Sequence, residues 1–227
     1  MATENTDSSR EATASSDSPT ALPMTIYTDS SFFKDHPGAT LPSPAEVRAI
    51  NIATGDPCAD EFDSPPPVVI RDLDRFIKYG RFVTIVEAST QIMVREKLQG
   101  KVPVPEVFGW VDDGGQGFIY MSLVEGDTLE ERWIEMAEDE RLDVCKGLRV
   151  MVDAWRAWKQ DESERCIGKH LKQPLNDIIL RDFPESLGPF EEPDAIEKFL
   201  ITCGIGINDK KDIVFTNADL LPSNISC

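Results

Sequence analysis

Two short apolar runs, Val107–Val111 and Phe118–Leu123, flank Asp112-Asp113-Gly114-Gly115-Gln116-Gly117. Strand-forming runs joined by a polar, glycine-containing turn are the pattern of a β-hairpin, so this stretch commits the chain to an antiparallel sheet. A second pair lies upstream. Val68-Val69-Ile70, the turn Arg71–Asp74 and Arg75-Phe76-Ile77-Lys78-Tyr79 read as strand, turn and strand, and Gly80 breaks the second strand. Between the two pairs, Thr84 to Gln99 has helical periodicity, with Ile85, Ala88, Ile92 and Leu98 as the expected apolar face. Val102-Pro103-Val104-Pro105 stops that helix, because each proline disfavours a helical residue before it.

The flanks differ in kind. Ser43-Pro44-Ala45-Glu46-Val47-Arg48-Ala49-Ile50 is a helix start, with Ser43 as the cap and Pro44 at the first helical position. Asp63-Ser64-Pro65-Pro66-Pro67 reads as an extended linker. After Gly126-Asp127-Thr128 the pattern turns helical. From Asp139 to Lys159, Leu142, Cys145, Leu148, Val152, Trp155 and Trp158 recur at spacings of three and four, which predicts a buried stripe. Asp194–Cys203 is a shorter helix closed by Gly204. A strand-rich half with one helix, followed by a helix-rich half, predicts a two-lobed α+β protein. Residues 1–41 are expected as a disordered tail rich in Ser, Thr and acidic residues, with scattered apolar anchors at Ile26, Tyr27, Phe32 and Phe33.

Composition narrows the function. A formal net charge of −18 opposes binding to nucleic acid phosphates or anionic lipid, and it would favour a cationic small molecule. Five widely spaced cysteines without a Cys-x-x-Cys pair read as reduced thiols, and His36 and His170 are too isolated to suggest a metal cluster. No apolar run reaches the roughly 18 residues a membrane span needs, and no signal or transit pattern opens the chain, so a cytoplasmic protein is expected. The tryptophan-bearing stripe argues against a featureless acidic scaffold.

The stretch Ile213-Val214-Phe215-Thr216-Asn217-Ala218-Asp219-Leu220-Leu221-Pro222-Ser223-Asn224 carries the chemistry. Asp-x-x-x-x-Asn after an apolar strand is the catalytic-loop spacing of kinase-type phosphoryl transfer. The aspartate can accept a hydroxyl proton, and the asparagine amide oxygen is a hard ligand suited to Mg2+. Gly114–Gly117 is not a phosphate loop, since it joins two strands and lacks a following helix and Gly-Lys-Ser/Thr.

Several segments, in order, resemble the aminoglycoside phosphotransferase family, in particular its fungal branch. They are Ile77-Lys78-Tyr79-Gly80, Val102–Trp110, Phe118–Gly126, Gly188-Pro189-Phe190 and Ile213–Asn224. The resemblance implies a protein-kinase-like two-lobed fold, with a nucleotide-binding N-lobe over residues 42–123. A partial C-lobe would follow over 124–227, ending in the catalytic loop. It implies ATP and Mg2+ as cofactors and a small-molecule hydroxyl as acceptor, with neither nucleic acid nor membrane as partner. Lys78 would pair with the nucleotide phosphates. Glu87 is the preferred partner to orient it, and Gln91, one turn further on, is the alternative. Ser122, Leu123 and Val124 would form the adenine-reading hinge, Arg71–Asp74 the phosphate cover, Asp219 the catalytic residue and Asn224 the metal ligand. Two departures define a second expectation: Asn217 stands where the family has histidine, and the sequence stops at Cys227, before a second metal-binding aspartate. On that expectation the chain is a non-catalytic, truncated kinase-like fragment or a binding module.

Overall fold

The structure is a computed structural model that describes residues 24–161, 165–175, 187–191, 193–204, 213–216 and 220–226. Its centre is a five-stranded antiparallel sheet. The strands are β1 (Thr25–Ile26), β2 (Val68–Ile70), β3 (Arg75–Gly80), β4 (Val107–Asp113) and β5 (Gln116–Ser122), ordered β1-β4-β5-β3-β2. The expected hairpins are β2–β3 and β4–β5. The turn of the second is tighter than the sequence suggests. Gly114 and Gly115 take φ of 61° and 83°, a conformation that side chains resist, so two residues suffice to reverse the chain.

Alternation along the strands feeds two cores. Ile77 and Tyr79 of β3 join Phe118 and Tyr120 of β5 on one face. Phe76, Ile119 and Met121 lie on the other. In β4 an irregularity between Val107 and Gly109 shifts the register, which lets Val107 and Trp110 serve the second core while Phe108 and Val111 serve the first. Helix α2 (Pro44–Ala53) contributes Val47 to the first core and starts as expected, with a reciprocal capping box between Ser43 and Glu46. Helix α3 (Ile85–Lys97) covers the second face through Ala88 and Ile92, whereas Ile85, expected on the apolar face, is exposed.

The expected tail differs most from what is found. Residues 1–23 lie outside the described residues, but Met24–Leu41 are folded. Strand β1 pairs with the outer edge of β4, and helix α1 (Ser31–Asp35) sinks Phe32 into the first core together with Leu41. This strap has its own polar anchor. Arg75 is 3% exposed; its Nη1 donates to the Thr40 carbonyl at 3.1 Å, and its guanidinium lies 4.2 Å from the Phe32 ring centroid. Burial pulls the Arg75 pKa below its ordinary value, and no carboxylate among the described residues forms an ion pair with it. Gly109 leaves room for the strap, since a Cβ there would meet the Thr25 carbonyl oxygen at 2.6 Å.

Beyond the sheet lie α4 (Leu129–Arg132), α5 (Glu138–Ala157), the short pair β6 (Cys166–Ile167) and β7 (Phe190–Glu191), and α6 (Ala195–Thr202). Only the C-terminal part of the α5 stripe is covered. Trp155 packs with Val94 of α3 and with Leu98 and Val102 just beyond its end, and Met151, Val152, Trp158 and Phe215 join them. Leu142 and Cys145 are exposed, Leu148, Val152 and Trp158 are half-buried, and Trp155 is the one buried member of the expected stripe. Among the described residues no helix is long and apolar enough to cross a membrane.

Candidate functional site

The phase of β3 decides which way its lysine faces. Ile77 and Tyr79 enter the first core, so Lys78 and Phe76 lie on the α3 side. Helix α3 begins at a cap that sets its first turn: the Thr84 hydroxyl accepts from the Glu87 N–H at 3.4 Å. Glu87 therefore stands at the start of the helix, over the sheet, where its Oε1 lies 2.5 Å from Lys78 Nζ. Gln91 is engaged elsewhere, donating to the Pro105 carbonyl at 2.9 Å. Of the two alternatives, Glu87 is the residue beside Lys78. The side chains of the pair are 48% and 36% exposed. An ion pair this open to water contributes only about 0–1 kcal/mol to folding. Its fixed geometry thus adds little to stability and leaves a cation presented at an accessible sheet face.

The end of β5 shows how Ser122, Leu123 and Val124, the residues expected as a hinge, are held. The Ser122 N–H donates to the Glu106 carbonyl at 2.8 Å, and the Leu123 N–H to the Asp74 carbonyl at 2.8 Å. Val124 is exposed, and its N–H makes no backbone hydrogen bond among the described residues. Of the three hinge amides, the one at Val124 can therefore be read by an added ligand. The Leu123–Asp74 bond also corrects the expected phosphate cover. Arg75 opposes Ser122 in the ladder, so the Arg71–Asp74 turn sits beside the hinge, at the opposite end of β3 from Gly80. At the Gly80 end it is Asp63 and Pro65 that approach: the Arg81 N–H donates to the Asp63 carbonyl at 3.1 Å.

Only part of the expected catalytic loop is described. Residues 213–216, expected as a strand, pair with no sheet among the described residues and run as irregular chain; Phe215 packs on Trp158, with ring centroids 5.2 Å apart, which ties this segment to the end of α5. Asn217 and Asp219 lie outside the described residues. Asn224 closes a 3₁₀ turn, Pro222–Asn224, and the chain after it runs back to the segment following the hinge. There the Leu129 N–H donates to the Ile225 carbonyl at 2.7 Å, and Thr128 bridges to Ser226. The candidate metal ligand and the hinge exit are thus joined by backbone bonds. Among the described residues no group of three or more His, Cys, Asp or Glu is placed to hold a metal ion.

A shallow cavity of about 300 Å³ lies elsewhere, lined by Tyr27, Ser89, Ile92, Met93, Glu96 and His170. At roughly 100° per residue its α3 members lie on the side of the helix turned away from Glu87, so it is separate from the lysine site. One further residue, outside the expected site set, ties these elements together. Glu106 gathers contacts from several elements, and its sole local signal is its place directly after Pro103-Val104-Pro105.

No family model matches the chain. Two curated relatives, subtelomeric hrmA-associated cluster proteins from two strains of Aspergillus fumigatus, are each 33% identical to it over 76 residues. The match covers 32% of this chain and 14% of each relative, so the chain spans a small part of their length.

Proposed function

We propose that the chain is an aminoglycoside phosphotransferase-like, ATP- and Mg2+-dependent phosphotransferase with a two-lobed, kinase-like fold, acting on a small-molecule hydroxyl. The observation that carries this reading is the Lys78–Glu87 pair, set on the α3-covered face of an antiparallel sheet whose fifth strand ends in an open amide at Val124. In this reading Val124 binds the nucleobase edge, and Lys78, kept in place by Glu87, neutralises phosphate charge. Asp219 accepts or orients the acceptor hydroxyl's proton, and Asn224 is a Mg2+ ligand. ATP supplies the phosphoryl group, and Mg2+ the charge neutralisation of its oxygens. The negative net charge favours a cationic acceptor.

Calorimetric titration with ATP, with and without Mg2+, tests the reading. Lys78→Ala is expected to weaken ATP binding by at least ~10-fold, equivalent to about 1.4 kcal/mol. Asp219→Asn should leave binding in place and abolish turnover with an acceptor. ATP binding that Lys78→Ala does not change would sink the assignment. A second reading, a nucleotide-binding module without catalysis, is favoured by Asn217 in the place of the family histidine. It predicts ATP binding without turnover in the unaltered chain and no rescue of turnover by added acceptors.

A further inference from the structure

We propose that Glu106 is a positioning residue that couples the N-terminal strap and α3 to the hinge backbone, and so sets where the Val124 amide is presented. This rests on the phosphotransferase reading only for the identity of the ligand that uses that amide. Glu106 and Ser122 are joined twice. The Glu106 N–H donates to Ser122 Oγ at 2.8 Å, and the Ser122 N–H donates to the Glu106 carbonyl at 2.8 Å. Moving Glu106 therefore moves the residue that begins the hinge.

The Glu106 carboxylate is held from two other directions. From the strap, the Ser31 N–H donates to Oε1 at 3.2 Å, and the Ser31 hydroxyl donates to Oε2. From α3, Arg95 Nη2 lies 3.9 Å from Oε2. The same helix grips the two preceding residues: Arg95 Nη1 donates to the Val104 carbonyl at 2.9 Å, and Gln91 Nε2 to the Pro105 carbonyl at 2.9 Å. Val104, Pro105 and Glu106 thus form a short rigid link. One end of it is α3, the helix that carries Glu87; the other is the hinge. The strap closes it from outside through a single side chain. A link with a proline and charge-assisted bonds transmits displacement better than a glycine-rich turn would.

The test uses the full chain and three variants, Ser31→Ala, Glu106→Ala and Glu106→Gln, that leave Phe32 and Leu41 in the core. Ser31→Ala removes the strap hydroxyl, and Glu106→Ala removes the whole carboxylate. Amide hydrogen exchange at residues 122–124 is read beside the global denaturation midpoint and the affinity for ATP with Mg2+. Loss of one hydrogen bond should accelerate exchange at Leu123 and raise the ATP dissociation constant by about 5-fold in Ser31→Ala. Glu106→Ala should exceed this on both readouts, and Glu106→Gln, which keeps an acceptor for Ser31 but loses the charge facing Arg95, should fall between them. The denaturation midpoint of Ser31→Ala should stay at the wild-type value. Unchanged exchange at 122–124 in both Ser31→Ala and Glu106→Ala overturns the proposal. So does faster exchange that only follows a general loss of stability. If the unaltered chain binds no ATP, the phosphotransferase reading fails while the exchange measurement still decides the role of Glu106.

Discussion

Along β3 and β5 successive side chains enter two different cores, so nearly every residue of those strands is committed to a neighbour. Along α5, a helix of 20 residues, Trp155 alone is fully buried. The first region is held by pairing partners distant in sequence, with a helix or the strap on each face. The second is anchored at one end, where Trp155 meets the end of α3 and Phe215, and its N-terminal turns face water. The sheet half therefore has little freedom to alter the Lys78–Glu87 geometry, whereas the first turns of α5 are set mainly by local helix energetics. A site at the boundary inherits a rigid side from the sheet. Its other side is fixed through a few contacts: the Trp155 cluster and the Leu129–Ile225 bond.

The comparison breaks most sharply at Gly117. A Cβ on this residue would collide with the Val83 carbonyl, at the point where the chain leaves the sheet for α3. Gly117→Val should cost more than about 3 kcal/mol in urea unfolding, because the obstacle is backbone that belongs to the next element. A wild-type midpoint would mean that Val83 and Thr84 shift freely, and then the placement of Glu87 would lose its rigidity too.

A paired measurement comes next. Ile77 is 0% exposed and Leu142 is 55% exposed. Ile77→Ala should lose roughly 2–5 kcal/mol through transfer and cavity terms. Leu142→Ala should stay within about 0.5 kcal/mol, as surface substitutions do. Comparable losses at the two positions would show that the open turns of α5 are covered in solution, and the contrast between the halves would disappear.

The same contrast explains what could be read from the residues alone. The β4–β5 hairpin follows from Gly114-Gly115 between apolar runs, α2 from Ser43-Pro44 with Glu46, and the proximity of Glu87 to Lys78 from the strand–helix order; all depend on signals within a few residues of one another. The strap was not legible. Phe32 and Leu41 sit in polar surroundings without periodicity, and they become core only because β4 offers an edge more than sixty residues away. Ile85 has apolar spacing but falls beyond the sheet's cover. The half-covered stripe of α5 fails for the related reason that periodicity specifies a face and cannot say what packs on it. Within the candidate site, which amide stays open depends on a contact distant in sequence: the Asp74 carbonyl takes the Leu123 N–H and leaves that of Val124. Asp219, expected from its spacing to Asn224, the apolar run before it and the family resemblance, lies outside the described residues.

The smallest effect tests whether the two halves respond alike to a device they share. Capping boxes open α2 and α4. The Glu46 carboxylate accepts from the Ser43 N–H and hydroxyl, both at 2.7 Å, and Glu131 accepts from the Thr128 N–H and hydroxyl, both at 2.8 Å. At Glu46 the hydroxyl bond is the main reason the pKa lies below its ordinary value; at Glu131 it is the backbone bond. A carboxyl whose folded pKa is lowered stabilises the protein above its ordinary titration range, and that stabilisation is lost as pH falls through the folded value. The difference between wild type and Glu46→Gln, or wild type and Glu131→Gln, should therefore be present at neutral pH and shrink toward zero on acidification below about pH 4. The readouts should separate. Glu46 supports a helix packed on the main core, so its effect should appear in the global unfolding midpoint. Glu131 supports a four-residue helix whose Leu129 amide holds Ile225, so its effect should appear first as faster exchange at Leu129. Equal global shifts from both variants would mean that α4 unfolds together with the sheet, joining the two regions into one cooperative unit.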